Sequence, residues 1–259
     1  MEEITIIDTD YTNITNYGIC GYKDLKREGY PEKICWMEKM KTHGLVIKTV
    51  VAEKSGNQGM IEWINSEYAM RPVIAENYLF INCLFVGFRK EFKGNGYASQ
   101  LIDLCIQDAM DKNKSGVCVV TRKGSFMPGK DIFTKKGFKI TDTAKPDFEL
   151  LTLSFTPDAK IPLFNESVRT VDKKYSKGIF IFRSDQCPYS VKNVKEIQET
   201  AVKDFNTEVT VIDLNIPSEA QQSPSPFGTF CVVVDGVVKA HNPISKTRFV
   251  NIMNEVKKK

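Results

Sequence analysis

The sequence predicts a mixed α/β protein of two domains, and two observations carry that prediction. Over residues 1–156, strand-like and helix-like segments alternate as β-α-α-β-β-β-α-β-α-β-β, an order that indicates a sheet mixing parallel and antiparallel neighbours. Residues 157–176 then hold two prolines, mixed charges and no sustained period, and read as a linker; beyond them, over 177–259, the pattern restarts as β-α-β-β-β-α. At 259 residues the chain exceeds a typical single domain, and 42% apolar against 26% charged residues suffices for two cores.

Element by element, alternation in Ile4–Asp8 predicts a first strand. Asp24–Lys41 sets Leu25, Ile34, Met37 and Met40 among charges and predicts helix, interrupted at Gly29–Pro31. Leu45–Glu53 and Met60–Asn65 are β-rich runs around a Lys54-Ser55-Gly56-Asn57 turn. Tyr78–Val86 is almost continuously apolar, as for a strand buried on both faces. Tyr97–Asp111, with Leu101, Leu104, Cys105 and Ile106 on one face, predicts an amphipathic helix. Val117–Thr121 is a short buried strand, Asp131–Lys136 a helical turn closed by Gly137, and Phe138–Thr143 and Glu149–Phe155 two further strands. A short edge strand is expected at Ser167–Val171 in the linker. In the second domain, Gly178–Phe182 is a strand, Pro188–Lys203 a helix and Glu208–Asp213 a strand. Thr229–Val234 and Val237–Ala240 form a hairpin around Asp235-Gly236, and Ser245–Lys257 is a last helix. That order over about 80 residues is the thioredoxin-like minimum.

The charge balance, Lys+Arg 36 against Asp+Glu 32, is a mild +4 with no basic stripe interleaved with aromatics, so nucleic acid is not an expected partner. No segment reaches the roughly 18 uncharged apolar residues of a membrane helix, and the opening MEEITIIDTDYTN has no apolar run of a signal peptide. The seven cysteines are odd in number and scattered, which points to reduced thiols and a cytoplasmic location. With no CxxC pair and only His43 and His241, no metal site is expected.

The chemistry concentrates in Val86-Gly87-Phe88-Arg89-Lys90-Glu91-Phe92-Lys93-Gly94-Asn95-Gly96-Tyr97-Ala98, which follows a buried strand and opens a helix. Two glycines two apart let the backbone take positive φ and approach a ligand. The first free N–H groups of the helix, at the positive end of its dipole, suit a pyrophosphate. Taken alone, these glycines equally suit a tight strand-to-helix turn. A dinucleotide-binding reading fails because Ser99 stands where a third glycine is required. The segment resembles the coenzyme-binding signature of the Gcn5-related N-acetyltransferases (GNATs), [QR]-x-x-G-x-[GA], with an apolar residue eight positions before the first glycine, here Val86; Glu91 occupies the Gln/Arg position. Phe133-Thr134-Lys135-Lys136-Gly137-Phe138 resembles the family's Y-x-x-x-G-F, with Phe133 in place of the tyrosine. Tyr78-Leu79-Phe80-Ile81-Asn82-Cys83 and Ser125-Phe126-Met127-Pro128 look like the members bearing a YoaP-like C-terminal domain.

The resemblance implies a mixed-sheet acyl-CoA N-acyltransferase fold over residues 1–156, ahead of the thioredoxin-like domain, and N-acetyl transfer from acetyl-CoA, bound as co-substrate, to a small-molecule or peptide amine. It places the coenzyme on Leu84, Phe85, Val86, on Glu91 to Ala98 (Phe92, Lys93, Gly94, Asn95, Gly96 and Tyr97 between them), and beside Phe133. The backbone N–H of Leu84 or Val86 would hold the oxyanion. Glu62 is the first candidate base, with Glu67, Glu76 or a water relay as alternatives, and it also reads as an ordinary solvent-facing strand residue. Cys83 lies where an acetyl-thiol intermediate would form, or simply packs in its strand. Tyr97 either replaces the missing acid or packs. In the second domain Cys187-Pro188-Tyr189-Ser190 looks like a glutaredoxin active site without its resolving cysteine, leaving monothiol chemistry or docking for Cys187, with Pro224 or Pro226 supplying the cis-proline of that fold. An acyl-CoA sensor and a monothiol redox protein stand as competing functions, and a monomer or homodimer is expected.

Overall fold

The computed structural model describes residues 2–20, 26–87 and 89–258, with backbone alone for Lys192. It divides into two units, Met1–Ala69 with Val73–Phe164, and Met70–Pro72 with Asn165–Lys259.

The first unit runs β1 (Ile4–Thr9), α1 (Tyr30–Lys41), β2 (Val46–Ala52), β3 (Gly56–Asn65), β4 (Val73–Ile74), β5 (Tyr78–Val86), α2 (Tyr97–Asp111), β6 (Gly116–Thr121), α3 (Asp131–Thr134), β7 (Lys139–Ala144), β8 (Phe148–Ser154) and β9 (Leu163–Phe164). Seven strands form one mixed sheet in the order β1-β2-β3-β5-β6-β8-β7, while β4 and β9 pair separately. Within the large sheet β5 and β6 run parallel and the other neighbours antiparallel.

Local chemistry sets several boundaries. The expected interruption at Gly29–Pro31 is instead the start of α1: Gly29 has φ 91°, its N–H donates to the Glu32 carboxylate at 3.0 Å, and Pro31 sits in the first turn, where no N–H is needed. Of the helical stretch expected before it from Asp24, residues 24 and 25 lie outside the described residues, as does Phe88, and residues 26–28 form turns and a bend instead of helix. β3 begins at Gly56 rather than Met60, because Gly56 and Asn57 pair with Ala52 and Val51 of β2. Gly59 is required there: a Cβ would fall 2.6 Å from the Phe85 carbonyl oxygen on β5.

The helix α2 buries Leu101, Ile102, Cys105 and Ala109 against Val50, Ile61, Trp63, Leu79, Ile81 and Leu84 of the sheet. Leu104, expected on that stripe, is exposed, since 100° per residue carries it to the far flank of the Leu101–Cys105 line. Each large apolar side chain fully buried here contributes about 1.5–3 kcal/mol. The Trp63 indole N–H donates to Asp108 of α2 at 2.7 Å, which pins the helix to β3.

The second unit runs β10 (Ile179–Arg183), α4 (Tyr189–Phe205), β11 (Val209–Asp213), α5 (Pro217–Ala220), β12 (Phe230–Val234), β13 (Val237–Ala240) and α6 (Lys246–Lys257). Its sheet order is β11-β10-β12-β13, with β10 and β11 parallel and the rest antiparallel. Helices α4 and α6 meet through Phe205 and Phe249, edge to face at 6.2 Å, and Tyr175 packs edge-on against Phe180 and Phe182 of β10. Two expectations change. Instead of a strand at Ser167–Val171, Glu166–Val168 is a 3₁₀ turn closed by the Asn165 side chain accepting from the Ser167 N–H at 3.1 Å. Among the described residues the one cis peptide is Lys145–Pro146, so Pro224 and Pro226 follow trans bonds. The bend before β12 uses Gly228 at φ 75°, where a Cβ would meet the Met70 carbonyl oxygen at 2.4 Å.

Candidate functional site

The site is built around β5. On one edge β5 pairs with β3 along its length, from Asn65↔Leu79 to Gly59↔Val86. On the other it pairs with β6 only from Tyr78↔Gly116 to Ile81↔Val119. Among the described residues β6 pairs with nothing of β5 beyond Ile81, and the ladder between the two parallel strands ends there. Asn82 is an extra residue on β5, because Glu62 faces Cys83 while the next residue, Trp63, faces Ile81. After this bulge the Gly87 N–H donates to the Gln58 carbonyl at 2.7 Å. Antiparallel alternation therefore turns the Phe85 and Cys83 amides toward β3, and the Leu84 and Val86 amides toward the opened edge.

At the end of β5 the chain makes a 3₁₀ turn at Lys90–Phe92 and enters α2 through Gly94 (φ 80°) and Gly96 (φ 81°). Gly96 is the N-cap of α2 and, among the described residues, no side-chain cap hydrogen bond closes the helix, so its first amides are left to an outside acceptor. A Cβ at Gly94 or Gly96 would meet nothing within 4 Å; their positive φ, not crowding, demands glycine. The Asn95 side-chain amide donates to the Glu91 carbonyl at 2.8 Å and fixes the loop's shape. The Glu91 side chain is exposed and 3.9 Å from Arg89, which also donates to the Ser55 hydroxyl at 2.8 Å. Phe92 is buried beneath the loop, Lys93 is exposed, and Tyr97 and Ala98 are half-buried on the first turn of α2.

Directly opposed residues of adjacent strands share a face, so Glu62 and Cys83 lie together, on the face that carries α1. The Glu62 carboxylate accepts from the ammonium group of Lys33, and the two side chains are 1% and 2% exposed. Lys33 also stands 4.1 Å from the Trp36 ring centroid. Cys83, half-buried, is hydrogen-bonded to Cys20, whose sulfur is 3.9 Å from the Met60 sulfur. That hydrogen bond and burial push the Cys20 thiol well above the usual thiol range, opposed by the nearby Lys33 charge.

The remaining expected residues lie elsewhere. Phe133 is fully buried in the core, edge to face with Phe138 at 5.5 Å. Glu67 accepts from the Asn77 N–H at 2.8 Å and Glu76 pairs with Lys160, both next to the start of β5, about 20 Å of strand from Leu84. In the second unit Cys187 is half-buried just before α4, and the buried Ser190 hydroxyl donates to its carbonyl at 2.7 Å. Lys33 and Cys20 join the Glu62–Cys83 pair without any local signal: a lysine in a charged helix and a cysteine in a turn look ordinary until the chain folds.

A family model described as YoaP-like matches residues 209–251. The curated protein "Uncharacterized N-acetyltransferase YoaP" of Bacillus subtilis (strain 168) is 31% identical over 252 residues, covering 96% of this chain and 98% of the relative. Two solved structures are also similar. The PaiA N-acetyltransferase of Thermoplasma acidophilum, in complex with coenzyme A, is 15% identical over 59% of this chain and 99% of that one, with a TM-score of 0.42. A GNAT family acetyltransferase of Brucella melitensis, in complex with acetyl-CoA, is 12% identical over 62% of this chain and 94% of that one, with a TM-score of 0.40.

Proposed function

Since this chain belongs to the family of the Bacillus N-acetyltransferase YoaP, we propose that it transfers the acetyl group of acetyl-CoA to an amine by direct attack. The observation that carries the reading is the coincidence of an opened strand edge with an uncapped helix N-terminus: β5 offers the Leu84 and Val86 amides just where β6 leaves it, and α2 offers its first amides behind Gly94 and Gly96. The pantetheine arm lies along Cys83–Val86 as an added strand, and the pyrophosphate sits on the loop from Glu91 to Ala98. The Leu84 or Val86 N–H, fixed before reaction, takes the charge of the tetrahedral oxyanion. Glu62, held by Lys33, is a charge-balanced partner rather than a free base, so the ammonium proton leaves through water. Isothermal titration with acetyl-CoA tests the site, and an absence of binding overturns it.

The competing reading, an acyl-CoA sensor with little turnover, draws support from Phe133, which sits in the core without a phenol to protonate the departing thiolate. Release of free CoA over a panel of small and peptide amines separates the two. For the second unit we propose a thioredoxin-like domain spanning about 177–259, on its strand order and the two helices α4 and α6 packed together, with Cys187 as a monothiol or a docking point. A cytoplasmic location and a monomeric or homodimeric state complete the proposal.

A further inference from the structure

Three sulfur atoms meet on the α1 face of the first unit. Cys20, Cys83 and Met60 come from separate segments: Cys20 from the turn after β1, Met60 from β3 and Cys83 from β5. Cys20 is held at φ 47°, a left-handed conformation uncommon outside glycine, which fixes its side chain where the other two sulfurs are. Cys105, Cys118 and Cys231 are instead fully buried, and burial pushes each thiol up. Hydrogen-bonded contact between two thiols 63 residues apart, both half-buried, distinguishes the Cys20–Cys83 pair from these cysteines.

We infer that Cys20 and Cys83 form a dithiol that closes reversibly to an intramolecular disulfide, a modification site at the acyl end of β5. The oxidant is a hydroperoxide. The Cys20 S–H donates to the Met60 sulfur at 3.9 Å, and its thiol, pushed well up, keeps its proton, which leaves Cys83 as the attacking atom. Its sulfur attacks the O–O bond, an alcohol or water departs, and Cys83 becomes a sulfenic acid. The Cys20 sulfur then attacks the Cys83 sulfur; the S–O bond breaks, and water leaves carrying the Cys20 proton. Two thiols are oxidised and one hydroperoxide is reduced to an alcohol and a water. Closing the disulfide removes the Cys83 thiol from the acyl end of the coenzyme, a consequence that rests on the donor site proposed above.

The test treats the full-length chain with hydrogen peroxide, quenches it by alkylation and maps tryptic peptides by mass spectrometry. The peptides ending at Lys23 and Arg89 each carry one cysteine, so a linked pair two mass units lighter than the sum of its reduced halves identifies the bond without ambiguity. The expected result is that linked pair, released by dithiothreitol, and in Cys20→Ser its replacement by a dimedone-trapped Cys83 sulfenic acid. Cys83 joined to another cysteine, overoxidised beside an intact Cys20 thiol, or unchanged while methionines oxidise, overturns the inference. In parallel, titration of the reduced chain with acetyl-CoA isolates the donor site: a reduced chain that fails to bind sinks that site and leaves the mapping to decide the dithiol.

Discussion

Replacing Lys33 with methionine tests how the buried ion pair of the first unit is balanced. Lys33 and Glu62 are 2% and 1% exposed, so neither charge is solvated and each depends on the other. Removing one partner of such a pair costs about 3–5 kcal/mol, chiefly the cost of an uncompensated buried charge. Replacing both with apolar residues of similar volume, Lys33→Met with Glu62→Leu, is close to neutral or stabilising, because the desolvation cost goes with the attraction. The two tryptophans of the chain, Trp36 and Trp63, are both buried in the first unit, so tryptophan fluorescence reports the unfolding of that unit alone. With a urea slope of about 2 kcal/mol per molar, Lys33→Met should lower the midpoint by about 1.5–2.5 M, and the double variant should recover most of it. Lys33 stands 4.1 Å from the Trp36 ring, so the native emission of both variants will shift and each needs its own baseline. A single variant within about 1 kcal/mol of wild type, or a double variant less stable than Lys33→Met, would refute the account.

Gly96→Ala places a Cβ on a residue at φ 81°, a cost of about 1–2 kcal/mol, and should weaken acetyl-CoA binding about tenfold in calorimetry, because the first amides of α2 lose their orientation. Asp108→Ala removes the acceptor of the Trp63 N–H and should cost about 1–3 kcal/mol in the same urea assay. The Asp10 carboxyl is lowered from 3.8 to about 2, first by its hydrogen bond from Lys41 and then by one from Thr12. Its folded value lies below its unfolded one, so its contribution is complete above about pH 4 and is lost as pH falls toward 2. The carboxylate is 35% exposed, and screening holds that contribution to under about 1 kcal/mol. Asp10→Asn should therefore be less stable than wild type at pH 5 and indistinguishable from it near pH 2; an unchanged gap across that range would contradict the assignment.

The parts of this fold readable from the sequence are those set by neighbours along the chain. The apolar run of β5, the glycine pair before α2 and the Asp235-Gly236 hairpin each declare themselves within a dozen residues. The exposure of Leu104 is not legible, because a helix surface with leucines on both flanks does not say which flank meets a sheet. The start of β3 is not legible, because Gly56-Asn57-Gln58-Gly59 has no apolar period; its strand character comes from pairing with β2 and from β5 pressing against Gly59. The Gly94–Gly96 loop is legible because its shape is set by local backbone conformation. The Lys33–Glu62 and Cys20–Cys83 contacts join residues 29 and 63 positions apart, and nothing in either stretch marks its partner.

A single inserted residue ties these features together. Ahead of Asn82, the odd-numbered Leu79 and Ile81 face α2; beyond it, the even-numbered Leu84 and Val86 do. Without the bulge Cys83 would continue the Leu79–Ile81 row and enter the α2 core, as Cys105 does. The bulge turns it to the face of Glu62, Lys33 and Cys20. It also coincides with the last β5–β6 pair, at Ile81 and Val119, so the amides freed from β6 belong to the re-phased part of the strand. The open Leu84 and Val86 amides and the polar cluster thus both belong to the re-phased part of β5, with the Gly94–Gly96 loop a few residues further on. On the proposed reading, side-chain departures from the family signature need not disable the site: Glu91 is exposed, and what the loop would present to a phosphate is backbone. Deleting Asn82 keeps Cys83 opposite Glu62 but straightens β5 so that β6 can pair past Ile81; it should weaken acetyl-CoA binding while leaving far-UV circular dichroism near that of wild type, and retained binding would show that the opened edge does not depend on the bulge.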